Sequence, residues 1–162
     1  DTGGGLKKAS WFFSDGQPFL VHNVDVMCDA DLNRLYAFHL EHKPLVTLSV
    51  KERKTSRSLL VNKEDELCGW RNNQTEELRH IRGKLEELQP IAYDGIQVID
   101  PGLFPKIMED GVFSVTDLYL RLCNTEKIMV CRHNDFWLDL GRKENFDEAA
   151  NHLNKKRYAR HV

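Results

Sequence analysis

Two short apolar runs of this chain each end in a single aspartate. The first is Phe-Leu-Val-His-Asn-Val-Asp, ending at Asp25, and the second is Phe-Trp-Leu-Asp, ending at Asp139. Each run is typical of a strand that carries one carboxylate to the edge of a sheet. An ionised carboxylate is costly to bury alone, so we expect each at a surface, beside a cation or on a metal. If both strands reach the same edge, the pair predicts a divalent-metal site facing a ligand cleft.

Both aspartates also have a simpler interpretation. Asp25 fits a turn or helix-capping residue after a strand, and taken alone this interpretation is favoured. Asp139 fits it less well, because neither Gly141 nor the helix predicted from Lys143 requires an acid inside the apolar run.

The elements that must position these aspartates alternate between strands and helices. Strands at 19–23 and 45–50 flank a helix that ends before Pro44, which predicts a parallel crossover unit. Strands at 58–62 and 67–70 predict a hairpin, so the sheet is of mixed direction. The other predicted elements are a helix at 6–13, a strand at 91–99, helices at 101–108 and 114–123, strands at 127–132 and 136–140, and a helix at 143–158.

Residues 71–89 are highly polar and have two interpretations. They form a helix if Leu78, Ile81, Leu85 and Leu88, which repeat at helical spacing, share one buried face. They form a flap if these few apolar residues merely touch the body of the protein.

The bulk properties exclude several classes of protein. The 162 residues are enough for one domain, and a net charge of −2 predicts no general attraction to nucleic acid or membrane. The sequence shows neither a membrane-spanning run nor a signal peptide. The four cysteines form no Cys-x-x-Cys pair, which favours reduced, mostly buried thiols and a cytoplasmic location.

Two further motifs have both a chemical and a structural interpretation. Thr2, Gly3, Gly4 and Gly5 are expected to form a loop that opens a helix, where backbone N–H groups can face a nucleotide; the alternative is a flexible loop. The Asp-Ala-Asp motif at 29–31 resembles the metal motif of nucleotide-sugar glycosyltransferases. A doubled helix cap is the favoured interpretation of that motif.

Taken in order, the motifs resemble one family. They are Thr-Gly-Gly-Gly-Leu-Lys-Lys-Ala at 2–9, Asn-Val-Asp at 23–25, Leu-Cys-Gly-Trp at 67–70, Asp-Gly-Ile at 94–96, Pro-Gly-Leu-Phe at 101–104, Phe-Ser-Val at 113–115 and Trp-Leu-Asp-Leu-Gly at 137–141. This set resembles the sugar-1-phosphate nucleotidyltransferases over nearly the whole chain. It is most similar to their short bacterial branch, which includes N-acetylmuramate-1-phosphate uridylyltransferases and mannose-1-phosphate guanylyltransferase-like proteins.

The resemblance implies a fold, a reaction and roles for matching residues. The fold is a Rossmann-like nucleotide-diphospho-sugar transferase fold with a mixed, mainly parallel sheet. The partners are a nucleoside triphosphate and a sugar 1-phosphate, which react by in-line attack and release pyrophosphate. The implied roles are Mg²⁺ binding and catalysis for Asp25 and Asp139, nucleotide binding for Thr2, Gly3, Gly4, Gly5 and Asn23, and substrate binding for Asp94, Gly95 and Ile96.

The chain departs from the family in one respect that limits the activity expected of it. The Gly-x-Gly-x-Arg loop and the Pro-Lys pair that grip the triphosphate have no match in the chain. We therefore expect residues 1–153 to be the C-terminal two-thirds of one nucleotidyltransferase domain, inactive on its own, and residues 154–162 to be a basic tail. The missing N-terminal segment, or a second copy, is the expected partner of an open sheet edge. A non-catalytic nucleotide- or sugar-phosphate-binding module and, less favoured, a glycosyltransferase remain alternatives.

Overall fold

The computed structural model describes residues 2–159, with side chains up to residue 156, as an α/β fold. The strands are β1 (Phe19–His22), β2 (Val26–Cys28), β3 (Val46–Lys51), β4 (Arg57–Val61), β5 (Leu67–Asn72), β6 (Leu78–Arg79), β7 (Gln89–Ile99), β8 (Ile128–Arg132) and β9 (Trp137–Asp139). The α-helices are α1 (Thr2–Lys8), α2 (Leu32–His42), α3 (Val115–Leu122) and α4 (Phe146–Ala159), with 3₁₀ turns at Ser10–Phe12, Leu85–Glu87, Pro101–Lys106 and Lys143–Asn145.

The long strand β7 organises the main sheet. Within the described residues this sheet has seven strands, in the order β6-β5-β4-β7-β3-β8, with β1 also paired to β7. The first part of β7 pairs with β4 and the last part with β1, while its other edge pairs with β3, and all three pairings are antiparallel. Only β3 and β8 pair in parallel. The expected α/β fold is therefore present, but the expectation of a mainly parallel sheet is wrong for the described part, because β7 runs against each of its three neighbours.

The crossover from β1 through α2 to β3 has the predicted direction. Both strands run antiparallel to β7, so they run parallel to one another, but β7 lies between them. The hairpin of β4 and β5 is confirmed, and the carboxamide of Asn62 accepts the N–H groups of Glu64 and Glu66 in its turn. Of the two interpretations of residues 71–89, the helix is wrong, because the segment contains the end of β5, the strand β6, one 3₁₀ turn, the first residue of β7 and irregular backbone.

The core lies on both faces of the main sheet. On one face, Leu118 and Tyr119 of α3 pack with buried residues of the central strands. On the other face, Leu35 of α2 packs with Ile96 and Val98 of β7. Three of the predicted helical segments begin close to their predicted starts: Asp31 caps α2, Asp100 caps the turn at 101–106, and Ser114 caps α3.

The N-terminal glycines lie in a helix and not in the predicted loop. Gly3 and Gly4 are buried inside α1, and the Gly3 N–H donates to the carbonyl of Phe113 over 3.2 Å. A Cβ on Gly3 would lie 2.4 Å from the Phe113 ring, and a Cβ on Gly4 would lie 2.2 Å from the carbonyl oxygen of Gly111. Close packing of α1 on residues 111–113 therefore explains these two glycines, which sequence reasoning assigned to a flexible or nucleotide-facing loop.

Three further predictions concern membrane spans, the cysteines and the C-terminal tail. None of the helices within residues 2–159 has both the length and the apolar character needed to cross a membrane. The four cysteines are free thiols, and three of them are buried, as expected. Helix α4 continues across the predicted domain boundary at residue 153, and the last part of the predicted basic tail, 160–162, lies outside the described residues, as does Asp1.

Candidate active site

The small sheet of β2 and β9 brings the two aspartates together. Asp25 lies in the turn before β2, and Asp139 is the last residue of β9, opposite Val26. The Leu140 N–H donates to the carbonyl of Asp25 over 2.7 Å. This hydrogen bond holds the turn that contains Asp25 beside the end of β9. A Cβ placed on Gly141 would lie 3.0 Å from Asp139 Oδ1 and 3.6 Å from Asp25 Oδ2, so oxygens of both carboxylates surround one point.

These two carboxylates fit a divalent cation. Among the described residues, no group of three or more His, Cys, Asp or Glu side chains is arranged to hold a metal. Magnesium, however, commonly takes one or two protein carboxylates and completes its octahedron with phosphate oxygens and water. Because Asp139 Oδ1 and Asp25 Oδ2 lie 3.0 Å and 3.6 Å from one point, they can share such an ion through water. The turn interpretation of Asp139 is also satisfied in part, because its Oδ1 accepts the Gly141 N–H over 2.9 Å.

Gly95 packs directly against the turn that carries Asp25. The Asn23 N–H donates to the carbonyl of Gly95 over 2.9 Å. Gly95 has a φ of +80°, and a Cβ there would lie 3.0 Å from the Asn23 carboxamide and 3.1 Å from Val26. Glycine is therefore required both by the backbone conformation and by the close approach of the turn that carries Asp25. The structure thus brings together four predicted site residues: Asn23, Asp25, Gly95 and Asp139.

Asp94 is the centre of a buried ionic cluster beside Gly95. Its side chain is fully buried, its Oδ2 accepts from His133 Nε2 at 2.6 Å, and its Oδ1 lies 3.6 Å from Arg53 Nε. The Trp137 indole N–H donates to the Asp94 carbonyl over 2.9 Å. The guanidinium of Arg53 in turn lies 3.7 Å from the centre of the Trp137 ring.

Burial dominates the electrostatics of this cluster. It raises the pKa of the Asp94 carboxyl above its ordinary value, although His133 and Arg53 oppose the shift. Burial likewise lowers the pKa of the Arg53 guanidinium, which the Asp94 charge opposes. Each ion is thus less favourable here than in water, even with its partner present.

A large polar cavity opens on the other side of β7. Its volume is about 540 Å³, and it lies between the hairpin strands, β6 and the first turn of α3. Tyr93, which precedes Asp94, lines this cavity together with Trp70, Arg57, Asn72 and other polar side chains. Successive residues of a strand face opposite sides of a sheet, so Tyr93 lines the cavity while Asp94 faces the ionic cluster.

Most of the other residues with predicted roles make packing contacts or are buried. The contacts of Gly3 and Gly4 are with residues 111–113, and the nucleotide-binding role expected for Thr2 to Gly5 stays a prediction. Asp94 and Ile96 are buried, so a direct substrate contact of either side chain also stays a prediction.

The Asp-Ala-Asp motif is fully used by the fold. Asp31 accepts the N–H groups of Asn33 and Arg34 as the cap of α2. Asp29 pairs with His152 and Lys156 of α4, and these partners lower the pKa of its carboxyl against the opposing effect of burial. The favoured interpretation, a doubled helix cap, is therefore confirmed for Asp31 and wrong for Asp29, whose carboxylate pairs with α4 instead.

Sequence reasoning missed Arg53 and His133. Arg53 follows β3 by two residues, and His133 is the first residue after β8. Because β3 and β8 are parallel, their carboxyl ends meet at one edge of the sheet, which is where ligand sites of open α/β sheets lie. An arginine and a histidine, each just after the end of a strand, are the sequence signal that could have revealed these two residues.

Comparisons of the sequence and of the fold with known proteins show what this chain is similar to. No family model matches the chain. It is 24% identical over 147 residues to a mannose-1-phosphate guanylyltransferase catalytic subunit beta of Dictyostelium discoideum, and 23% identical over 148 residues to a mannose-1-phosphate guanyltransferase of Aspergillus fumigatus. In both cases the match covers 90% of this chain but only 39% of the relative.

Solved structures of the same class share the fold. HddC from Yersinia pseudotuberculosis complexed with GMP-PN superposes with a TM-score of 0.68 at 16% identity, over 94% of this chain and 62% of that one. UTP-bound UGPase from Acinetobacter baumannii superposes with a TM-score of 0.71 at 13% identity, over 94% and 56%. The chain therefore has the nucleotide-diphospho-sugar transferase fold, and its relatives and structural neighbours are sugar-1-phosphate nucleotidyltransferases, as the motif resemblance indicated.

Proposed function

We propose that a protein combining this chain with a triphosphate-binding loop is a magnesium-dependent sugar-1-phosphate nucleotidyltransferase. It transfers a nucleoside monophosphate from a nucleoside triphosphate to a sugar 1-phosphate and releases pyrophosphate. The observation that carries the proposal is the meeting of Asp25 and Asp139 beside Gly95, on the fold that nucleotidyltransferases share. We also propose a bacterial source and a cytoplasmic location, the latter because the cysteines are free thiols.

The proposed chemistry is mainly one of positioning and charge. An oxygen of the sugar 1-phosphate attacks the α-phosphorus, a new P–O bond forms, and the bond between the α-phosphorus and the bridging oxygen to the β-phosphate breaks. Asp25 and Asp139 would hold Mg²⁺, which would neutralise negative charge on the phosphates. The chain's own part is to hold the two carboxylates on the β2–β9 sheet and to bring the backbone at Gly95 close to the reacting groups.

We assign the sugar phosphate to the cavity beside Tyr93. Its volume of about 540 Å³ lies in the range of small-molecule sites, and its walls combine aromatic rings with polar groups suited to sugar hydroxyls. Arg57 is a cation in this wall that suits a phosphate. We expect Arg57→Ala to raise the KM for the sugar 1-phosphate severalfold with little change in kcat, while Lys84→Ala, at an exposed site outside the cavity, leaves both unchanged.

The direct test of the function is pyrophosphate release. The full-length protein, given Mg²⁺ and a panel of nucleoside triphosphates and sugar 1-phosphates, is expected to release pyrophosphate with at least one pair. Residues 1–162 alone are expected to show little or no release, because they contain no match to the triphosphate loop. Rapid release from the chain alone contradicts that part of the proposal, and binding of both substrates by the full-length protein without turnover supports the non-catalytic module in its place.

A further inference from the structure

Arg53 lies where β7, which lines the cavity through Tyr93, approaches β9, which carries Asp139. It belongs to the short connection after β3, and its side chain is 24% exposed. Its Nη2 donates to the carbonyl of Tyr93 on β7 over 2.8 Å. The same guanidinium covers the face of Trp137 on β9 at 3.7 Å. One side chain therefore links β7 with β9.

Trp137 is the anchor of β9. This strand has three residues and pairs with β2, itself three residues long, so its ladder alone holds it weakly. Trp137 is held at its edge by the hydrogen bond from its indole N–H to the Asp94 carbonyl, and on its face by Arg53. Because Trp137 precedes Asp139 by two residues, whatever fixes the indole also fixes the carboxylate.

His133 orients the Asp94 carboxylate toward Arg53. The Asp135 N–H donates to His133 Nδ1 over 3.2 Å, so Nδ1 is an acceptor and Nε2 carries the proton that is donated to Asp94 Oδ2. Asp94 Oδ1 is then directed to Arg53, at 3.6 Å from Nε. Neither of these two atoms makes a hydrogen bond within the described residues, so charge attraction and stacking hold the guanidinium in place.

A buried ionic group of this kind is a poor means of stabilising a fold. The pKa of Asp94 is raised and that of Arg53 is lowered, each chiefly by burial, so neither ion recovers its full hydration. Apolar residues of similar volume often stabilise such a site as well or better. The cluster is therefore better explained by a geometric role than by stability.

We propose that Arg53, Asp94 and His133 form a positioning unit that holds Trp137 in place and thereby sets Asp139 beside Asp25. This inference rests on the proposed function, since it takes Asp139 as a metal ligand. None of the three side chains is assigned a contact with the metal or the substrates. They act through Trp137, as outer partners that orient a ligand-bearing strand.

Nuclear magnetic resonance of the full-length protein tests both the site and its positioning. One measurement is hydrogen exchange at the Trp137 indole N–H and at the Leu140 amide, which bonds to Asp25. The other is broadening of the Gly141 amide signal by added Mn²⁺. The variant is Arg53→Gln. The control is Arg121→Gln, which removes another arginine that binds a carboxylate, that of Glu109, and a backbone carbonyl, that of Lys106.

We expect Arg53→Gln to speed exchange at both N–H groups about tenfold or more relative to the rest of the chain. The Mn²⁺ concentration for half-broadening should rise about tenfold. Arg53→Lys, which keeps the charge without the planar stack, should restore part of the protection. Arg121→Gln should change neither quantity beyond its effect on the whole chain.

The outcomes separate the inference from the proposed function. If Mn²⁺ broadens Gly141 equally in the native protein and in Arg53→Gln, with unchanged exchange, the metal site stands and the positioning unit is wrong. If Mn²⁺ fails to broaden Gly141 in the native protein, the metal site is wrong and the positioning role falls with it. If exchange at the Trp137 indole and the Leu140 amide rises no more than in the rest of the chain, Arg53 has only a structural role and the inference is overturned.

Discussion

Three carboxylates lie beside β9, in two opposite electrostatic environments. Asp94 is fully buried and is met by a histidine and an arginine of the same chain. Asp25 and Asp139 lie at the surface, where Arg142, at 3.5 Å from Asp139, is a mostly exposed neighbour. The difference shows that one fold can use aspartate in two ways. A carboxylate that is paired with cations of its own chain can hold a strand in place, and a carboxylate that faces solvent can bind a ligand.

The exposed pair should be the more important for activity and the less important for stability. We expect Asp25→Asn and Asp139→Asn to reduce kcat of the full-length protein by on the order of a hundredfold to a thousandfold, because charge that balances the phosphates is lost. Urea unfolding should change little for Asp25→Asn, since that residue is exposed. Asp15→Asn, in an exposed turn, is the matched control and should keep full activity. Activity retained in both site variants contradicts the metal assignment.

The buried group should respond in the opposite way, through stability. Arg53→Gln leaves the Asp94 carboxylate buried with only His133, and we expect a loss of roughly 3 kcal/mol in the free energy of unfolding at neutral pH. Adding Asp94→Asn should recover most of that loss, because no unpaired charge then remains. The control Arg121→Gln, whose pair with Glu109 is about a third exposed, should cost less than about 1 kcal/mol. A double variant no more stable than Arg53→Gln argues against an unpaired charge as the cause.

The sequence revealed the exposed pair far better than the buried group. A carboxylate that ends an apolar run is a local signal, and it predicts that Asp25 and Asp139 lie close together, as they do; their metal-binding role stays a prediction. The buried group is assembled from residues 53, 94 and 133, whose pairing depends on the order of strands in the sheet. Local patterns do not contain that order, and a sheet predicted to be mainly parallel proved mainly antiparallel in the described part.

The glycine-rich start of the chain also shows that local patterns do not reveal contacts between distant segments. Glycines beside a helix suggest a loop when only neighbouring residues are considered. The reason for Gly3 and Gly4 is instead the close approach of residues 111–113, more than a hundred positions away. By contrast, the capped helices and the β4–β5 hairpin were predictable, because their turn and cap residues act within a few positions.

The pH dependence of stability distinguishes the buried carboxylate from an ordinary paired one. Burial raises the folded-state pKa of Asp94 above the unfolded value, so the folded chain binds this proton more tightly. The resulting stability is complete below the unfolded pKa and is lost as pH rises through the folded pKa. We therefore expect the native chain to gain stability relative to Asp94→Asn as pH falls, by about 1.4 kcal/mol for every tenfold by which folding tightens proton binding at Asp94.

Glu109 provides the control for that measurement. Arg121 lowers the pKa of the Glu109 carboxyl, so the stability it contributes is present above the unfolded pKa and is lost as pH falls through the folded pKa. Urea unfolding across a pH series should therefore show the native chain losing its advantage over Glu109→Gln toward acid, while its advantage over Asp94→Asn grows. If the two variants show parallel pH profiles, the opposite pKa shifts of Asp94 and Glu109 are contradicted.

The smallest expected effect concerns the Asp-Ala-Asp motif, whose two carboxylates belong neither to the Asp25–Asp139 pair nor to the buried cluster around Asp94. Asp31 caps α2 through two backbone N–H groups, and Asp29 is occupied by His152 and Lys156 of α4. Asp31→Ala should cost about 1 kcal/mol of stability, the usual value of a lost helix cap. Mn²⁺ broadening at Gly141 should be unchanged, since a cap has no part in the metal site. If Mn²⁺ instead broadens the amides of residues 29–31, and Asp31→Ala removes that broadening, the glycosyltransferase alternative gains the metal and Asp25 with Asp139 lose it.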